Sequence, residues 1–298
     1  METEPLKFAA FVMTYKRPLI AKETIEKLFS QTVPPEKVLV IDNDEEESGR
    51  EIVAQLSNSP IDYIAMGYNS GPVGAAKKGL EQLSSQGFQW IAWIDDDDPP
   101  YFPDVFEKLL QLAQINPKCG CVGVVGHYFD RKTGLTHRVP NSVLEGDGSL
   151  EIDTIAGGMI KLVNSNFVKQ SDVLPDASLF FGFEELDYDL QMQKAGYKLL
   201  VDKALFLQHR IYHNRLDFER KAIKKSERQL IRDYYSSRNM LYILKKNRLL
   251  SALFYTFLRI AYKCVITFKF GFSHGMLNLK FQSKAIYHFI TKRYGKID

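Results

Sequence analysis

The sequence predicts an α/β protein built on a largely parallel sheet, and three observations carry that expectation. Short apolar runs alternate with helix-compatible stretches through the first hundred residues or so. Polar and charged residues follow each run, at the sheet edge where ligands of such folds bind. The 298 residues are 45% hydrophobic, 25% charged and 12% aromatic, which excludes a disordered or fibrous chain.

The runs are Phe8–Met13, Val38–Ile41, Ile61–Ala65 and Trp90–Ile94, each read as a strand. Helices are expected over Arg17–Gln31, roughly Glu47–Ser57, and Gly74–Ser84. Beyond Pro99 the alternation stops. Tyr101–Ile115 reads as a helix and Gly120–Val139 as a strand or hairpin region. Residues 140–155 read as a loop, and Ile155–Val163, with Gly157 and Gly158, as a strand. Phe183–Gly196 is expected to be a helix closed by Gly196. Short strands over Tyr197–Val201 and Ala204–Gln208 should follow, then long helices over Asp217–Asn247, Leu249–Phe268 and Ser273–Tyr294. This order divides the chain into an α/β body over residues 1–214 and a helical region over 215–298.

Charge divides the chain at nearly the same place. Residues 1–202 carry 18 Lys and Arg against 31 Asp and Glu, a net of −13. Residues 203–298 carry 21 against 5, a net of +16. A basic tail on an acidic body suits an anionic partner. Leu249–Phe270 is apolar, but it includes Arg259, Lys263 and Lys269, costly within a membrane span. It is expected instead as an amphipathic helix on an anionic membrane surface, or else packed on the body. Nucleic acid is not the expected partner, because the tail has no zinc-finger or base-stacking motif. Three cysteines, Cys119, Cys121 and Cys264, build no disulfide framework and no four-cysteine zinc site, which suits a reducing, cytoplasmic setting. The acidic start METEPLKF lacks the apolar core of a signal peptide.

Four consecutive aspartates, Asp95–Asp98, directly after WIAWI are the strongest local signal. Like charges crowded at a strand end call for a cation or a donor network. Asp95 and Asp97, two residues apart, can converge on a hard divalent ion such as Mg²⁺ or Mn²⁺. A calcium loop of the EF-hand type fits poorly, since Pro100 and Phe106 stand where Gly and Glu are required.

The segments FVMTYKRP, VIDND, YNSGPVGAAKKG, WIDDDDPP and FFGFEELDYDLQMQKAGY, in this order, resemble an inverting family 2 glycosyltransferase of the GT-A fold. The resemblance runs from Lys7 to about His213, and YYSSRN (Tyr234–Asn239) is most like the bacterial rhamnosyl- and galactofuranosyltransferases. It implies transfer of galactofuranose or rhamnose from a UDP- or dTDP-sugar to a glycan or lipid-linked glycan at the inner face of the cell membrane. Thr14, Tyr15 and Arg17 would cradle base and ribose, and Asp42 with Asn43 would meet the pyrimidine. Asn69, Gly71 and Gly74 would let backbone approach the donor, with Lys78 near the diphosphate. Asp95 and Asp97 match the family's DxD pair, which holds ribose and metal, and Asp96 and Glu184 would also meet the substrate. Glu185 falls at the catalytic-base position beside Glu184. This Glu-Glu pair departs from the more frequent Glu-Asp or Asp-Asp. His209 matches a late metal ligand of some members, with His213 as the alternative. Homo-oligomerisation is left open.

The chemistry agrees with these residue types. A cation and nearby basic groups offset the charge that grows on a diphosphate leaving group. Inversion needs one carboxylate to take the proton of the attacking hydroxyl. A nucleotidyltransferase would carry a Gly-rich loop where this chain has Thr-Tyr-Lys-Arg-Pro. The alternative is a catalytically inactive carbohydrate-binding or membrane-scaffold protein on the same fold.

Overall fold

The computed structural model describes residues 6–56, 59–155, 160–217 and 223–297. The expected alternation is realised as β1 (Phe8–Thr14), α1 (Pro18–Phe29), β2 (Val38–Asp42), α2 (Arg50–Gln55), β3 (Ile61–Ala65), α3 (Gly71–Ser85) and β4 (Trp90–Asp95). Every residue of β1 is buried, as a central strand covered on both faces requires. Helix α1 starts on Pro18 and buries Ala21, Thr24, Ile25 and Leu28, the stripe of an amphipathic helix.

The second half supplies α4 (Val105–Gln114), β5 (Cys119–Gly123), β6 (Gly126–Asp130), β7 (Leu135–Arg138), β8 (Ser149–Glu151), β9 (Thr154–Ile155), β10 (Lys161–Asn164), α5 (Ser165–Ser171), α6 (Glu184–Lys194), β11 (Lys198–Asp202) and α7 (Lys203–Tyr212). The main sheet runs β3-β2-β1-β4-β10-β5-β11-β8, and β7-β6-β9 form a small second sheet. Strands β3, β2, β1 and β4 are parallel, whereas β10 is antiparallel to both β4 and β5. The chain leaves β1 toward β2 and returns to its other side at β4, so a crevice opens at their carboxyl ends. Register fills that crevice: Thr14 lies opposite Asp42, and Met13 opposite Asp95.

Three expectations need correction. Residues 140–155 are not a plain loop: they hold a short 3₁₀ turn, Asn141–Leu144, and strands β8 and β9. Strands of two or three residues carry too little periodicity to be read. The strand expected over Ile155–Val163 is split between two sheets, and Gly157 and Gly158 lie outside the described residues. Ala204–Gln208 is helix, not strand. Asp202 accepts a hydrogen bond from the Leu205 amide at 2.8 Å and starts α7 directly at the end of β11.

The C-terminal helices are α8 (Glu227–Lys246), α9 (Leu250–Ile266) and α10 (Phe272–Ile290). Ser226 and Gln229 close a reciprocal capping box at the start of α8. The composition changes near residue 214, but packing runs across that point. Ile243 and Leu244 of α8 and Ala252 of α9 share one buried cluster with Val73, Phe129, Leu186 and Leu190 of the body. Helix α9 turns Ala252, Thr256 and Ile260 inward, and Arg259 donates to the Thr133 carbonyl at 2.7 Å. Its opposite stripe, Leu250, Phe254, Leu258, Tyr262 and Val265, is 50% to 73% exposed. Among the described residues, Leu250–Phe270 is the one stretch long and apolar enough to cross a membrane.

Candidate active site

The carboxyl ends of β1, β2 and β4, the start of α3, the loop before α6 and one face of α8 enclose a cavity of about 580 Å³. Thr14, Tyr15 and Arg17 follow β1 into it, and Asn43 follows β2. The Asn43 carboxamide accepts from the Ser70 hydroxyl, which ties the β2 end to the α3 start. Asn69 accepts from the Gly71 amide at 3.0 Å. Gly71 has φ +70°, and a Cβ there would lie 2.2 Å from the Phe180 carbonyl oxygen. Only glycine permits this approach of the α3 start to the loop before α6.

The aspartate run divides into distinct roles. Asp96 is buried, accepts from the Thr14 hydroxyl at 2.8 Å and pairs with Arg17. The Arg17 fork also holds Asp97, whose side chain is 52% exposed. Burial pushes Asp95 up to about 8, helped by Glu185 and the neighbouring aspartates. Burial likewise raises Asp96 to about 6, against the pull of Thr14 and Arg17, and Asp98 to about 7. So much unrelieved negative charge suits a hard cation. Among the described residues no three His, Cys, Asp or Glu are grouped to hold a metal unaided. Asp95 and Asp97 therefore fit an ion of the Mg²⁺ or Mn²⁺ class, which takes one or two carboxylates and fills its shell with substrate phosphate and water.

A pH dependence follows. A cation held by Asp95 would have to displace its proton, so binding would strengthen as pH rises toward the raised value of about 8 and level off above it. Calorimetric titration of Mn²⁺ at pH 6, 7 and 8 should show affinity rising by up to about tenfold per pH unit. A flat profile would show that Asp95 is not a ligand.

The same cavity is lined by Glu184 and Glu185, with which α6 begins. Glu184 is buried, and its Oε2 atom has no hydrogen-bond partner among the described residues. Burial, with Glu185 next in effect, raises its pKa well above the usual carboxylate range. The loop that delivers this pair is contorted: Phe180, Gly182 and Phe183 all have positive φ. Backbone so strained persists only when its surroundings hold it.

Arg238 and Asn239, the last two residues of YYSSRN, hold it. The Asn239 amide donates to the carbonyls of Leu179, Phe181 and Gly182 at 2.9–3.0 Å. Arg238 is 1% exposed and donates to the carbonyls of Leu179 at 2.9 Å and Gly295 at 2.8 Å. Carbonyls and the faces of Tyr234, Tyr235 and Tyr294 surround its charge. Asn239→Ala leaves the Phe181 and Gly182 carbonyls without this donor, while Leu179 keeps Arg238, so unfolding in urea should show a loss of about 1–3 kcal/mol. kcat should fall by up to about 100-fold, as for a displaced catalytic group, with donor KM little changed. Unchanged kcat would make the clamp a stabilising device alone.

Four residues expected at the site are placed elsewhere. Asp42 is fully buried, and its oxygens accept from the amides of Asp44 and Gly49 and from the Tyr63 hydroxyl. It organises the turn after β2, and Asn43 alone of that pair lines the cavity. Gly74 faces Ser70 within the first turns of α3. Lys78, a turn further along, sits near Glu81 at 3.9 Å. His209 lies on the buried face of α7 beside His213, lining a separate small pocket with Asp98 and Tyr101. Burial, then His213 and nearby arginines, lowers its pKa to about 4. His209 does not line the cavity that holds Asp95 and Asp97. Conversely, Phe180, Phe181, Arg228, Ile231, Arg232 and Tyr235 line the cavity and were not expected there. Phe180 and Phe181 belong to the FFGFEE segment and Tyr235 to YYSSRN, whereas no pattern marked Arg228, Ile231 or Arg232.

A mixed sheet with a switch-point cavity, an aspartate cluster at its rim and a carboxylate pair opposite defines a nucleotide-sugar-type transferase site on a GT-A fold. Residues 10–165 match the family described as glycosyl transferase family 2, and the chain belongs to that family. The chain is 26% identical over 198 residues to the galactofuranosyltransferase GlfT1 of Mycolicibacterium smegmatis, covering 63% of this chain and 65% of that protein. It thus spans about two thirds of that relative's length. An uncharacterized glycosyltransferase of Haemophilus influenzae is 30% identical over 106 residues, 36% of this chain and 34% of that one. The structure of Staphylococcus aureus TarS 1–349 with UDP-GlcNAc superposes with a TM-score of 0.58 at 14% identity, covering 97% of this chain and 82% of the other. The mannosyltransferase PcManGT from Pyrobaculum calidifontis, solved with GDP-Man and Mn²⁺, gives 0.54 at 12% identity over 98% and 84%. At such identities the structural likeness shows the fold alone.

Proposed function

We propose that the protein transfers a sugar, with inversion at the anomeric carbon, from a pyrimidine nucleotide-sugar to a hydroxyl of a glycan or lipid-linked glycan. Galactofuranose and rhamnose are the favoured sugars, the first supported by the GlfT1 relatives. The carrying observation is that Asp95–Asp97 and Glu185 face one cavity from separate elements. Thr14, Tyr15, Asn43 and Asn69 line the same cavity and are assigned to the nucleotide. Arg17 fixes Asp96 and Asp97 in place. A bound divalent cation, as in the Mn²⁺ complexes of fold relatives, would offset charge on the leaving diphosphate. Glu185 takes the proton of the acceptor hydroxyl as its oxygen bonds to the anomeric carbon. The bond from that carbon to the diphosphate oxygen breaks, and its electron pair leaves with the nucleoside diphosphate. A panel of nucleotide-sugars, read by nucleoside diphosphate release with and without Mn²⁺, tests the reading. Release from a UDP- or dTDP-sugar is expected. Carbohydrate binding with no release from any donor would favour an inactive scaffold.

The acceptor half of the proposal places the enzyme at the cytoplasmic face of a membrane. The exposed stripe of α9 is apolar, and residues 203–298 carry a net charge of +16. A surface-lying helix fits better than a span, because Arg259 and the Ala252–Thr256–Ile260 stripe are tied to the body. Sedimentation with anionic liposomes should show binding that weakens as salt rises. Equal binding to neutral vesicles would remove the electrostatic part, and no binding at all would leave α9 as a packed support.

A further inference from the structure

Helix α8 completes the cavity beside the loop that leads into Glu184 and Glu185, and it brings two arginines to the lining. Arg228 and Arg232 stand one helical turn apart and both line the cavity. The Arg232 guanidinium lies over the Phe181 ring, 5.4 Å from its centroid. Tyr235, one turn further, packs on Phe180 and Phe181 at 5.4 and 6.0 Å. This places the two arginines beside the loop that leads into the Glu184–Glu185 pair. Of the cavity's three arginines, Arg17 is already committed to Asp96 and Asp97. No carboxylate among the described residues forms an ion pair with Arg228 or Arg232.

Two guanidinium forks one helical turn apart at a substrate cavity, with no counter-ion among the described residues, match a phosphate group in charge and geometry. The group belongs to the acceptor. Its hydroxyl must reach Glu185, and Arg232 stacks on Phe181 in the loop that leads into Glu185, whereas the nucleotide is assigned to Thr14, Asn43 and Asn69 at the strand ends and the start of α3. We propose that the acceptor bears a phosphate, and that Arg228 and Arg232 hold it while Glu185 receives the hydroxyl proton. The inference rests on the transferase reading above and narrows its acceptor to anionic, phosphate-bearing glycans or glycolipids.

Calorimetry with phenyl phosphate tests the subsite in the presence of saturating UDP and Mg²⁺, which fill the donor side. The wild-type chain should bind it, and the double variant R228Q/R232Q should bind it at least about tenfold more weakly, with UDP affinity unchanged. Weaker UDP binding with phenyl phosphate unaffected would assign the arginines to the donor's diphosphate and overturn the proposal. Equal phenyl phosphate binding by both proteins would overturn it too, leaving two solvated side chains. Circular dichroism melting of R228Q/R232Q guards against a folding artefact, and R228K/R232K should recover part of the binding. If the wild-type chain binds no nucleoside diphosphate, the transferase reading fails. The phenyl phosphate arm then still decides, in the absence of UDP, whether the arginines form an anion site.

Discussion

Glu185→Gln should lower kcat by about 10²–10⁴-fold, the range for loss of a general base, while donor KM stays close to its original value. The amide keeps the size and shape of the carboxylate but cannot accept the hydroxyl proton. Glu185 lies at the first turn of α6, on a separate element from the strand ends that carry Thr14 and Asn43, so the donor should bind as before. The neighbouring carboxylate provides the control. Glu184 is buried, and burial raises its pKa well above the usual carboxylate range, which disfavours its charged form. Single-turnover assays on both variants separate the two. Near-native rates in Glu185→Gln, with loss in Glu184→Gln, would move the role to Glu184.

Asp97→Ala should reduce turnover to background and leave the protein folded. The side chain is half exposed and packs into no core, so the expected change in stability is within about 0.5 kcal/mol. What disappears is a carboxylate at the mouth of the site and one partner of Arg17. Asp96 retains the guanidinium, so the β1 end should keep its shape. EDTA should mimic the substitution in the wild-type enzyme, and added Mn²⁺ should restore activity there but not in Asp97→Ala. Full activity in EDTA would refute the metal requirement.

The parts of this molecule that sequence disclosed are those governed by local pattern. WIAWI followed by four aspartates could only be a buried strand meeting a polar edge, and Asp95–Asp97 duly end β4 at the cavity rim. The FEELDYDL segment, with acidic residues ahead of an apolar stripe, begins a helix at Glu184 as expected. What sequence hid depends on long-range packing. Asp42 looks like a ligand-facing acid until Gly49 and Tyr63 fold back onto it. His209 looks like the end of a strand because LFL is apolar, yet Asp202 caps a helix there. The Arg238–Asn239 clamp joins residues some 60 positions apart in the chain. No periodicity could have announced it, although YYSSRN marked the place.

Calorimetric titration of UDP, dTDP and GDP into the full chain, with and without Mn²⁺, bears most directly on a pyrimidine nucleotide-sugar site. UDP or dTDP should bind at least about tenfold more tightly with Mn²⁺ present, and Asp97→Ala should lose that gain. Preferential binding of GDP, or no binding of any nucleoside diphosphate, would contradict it.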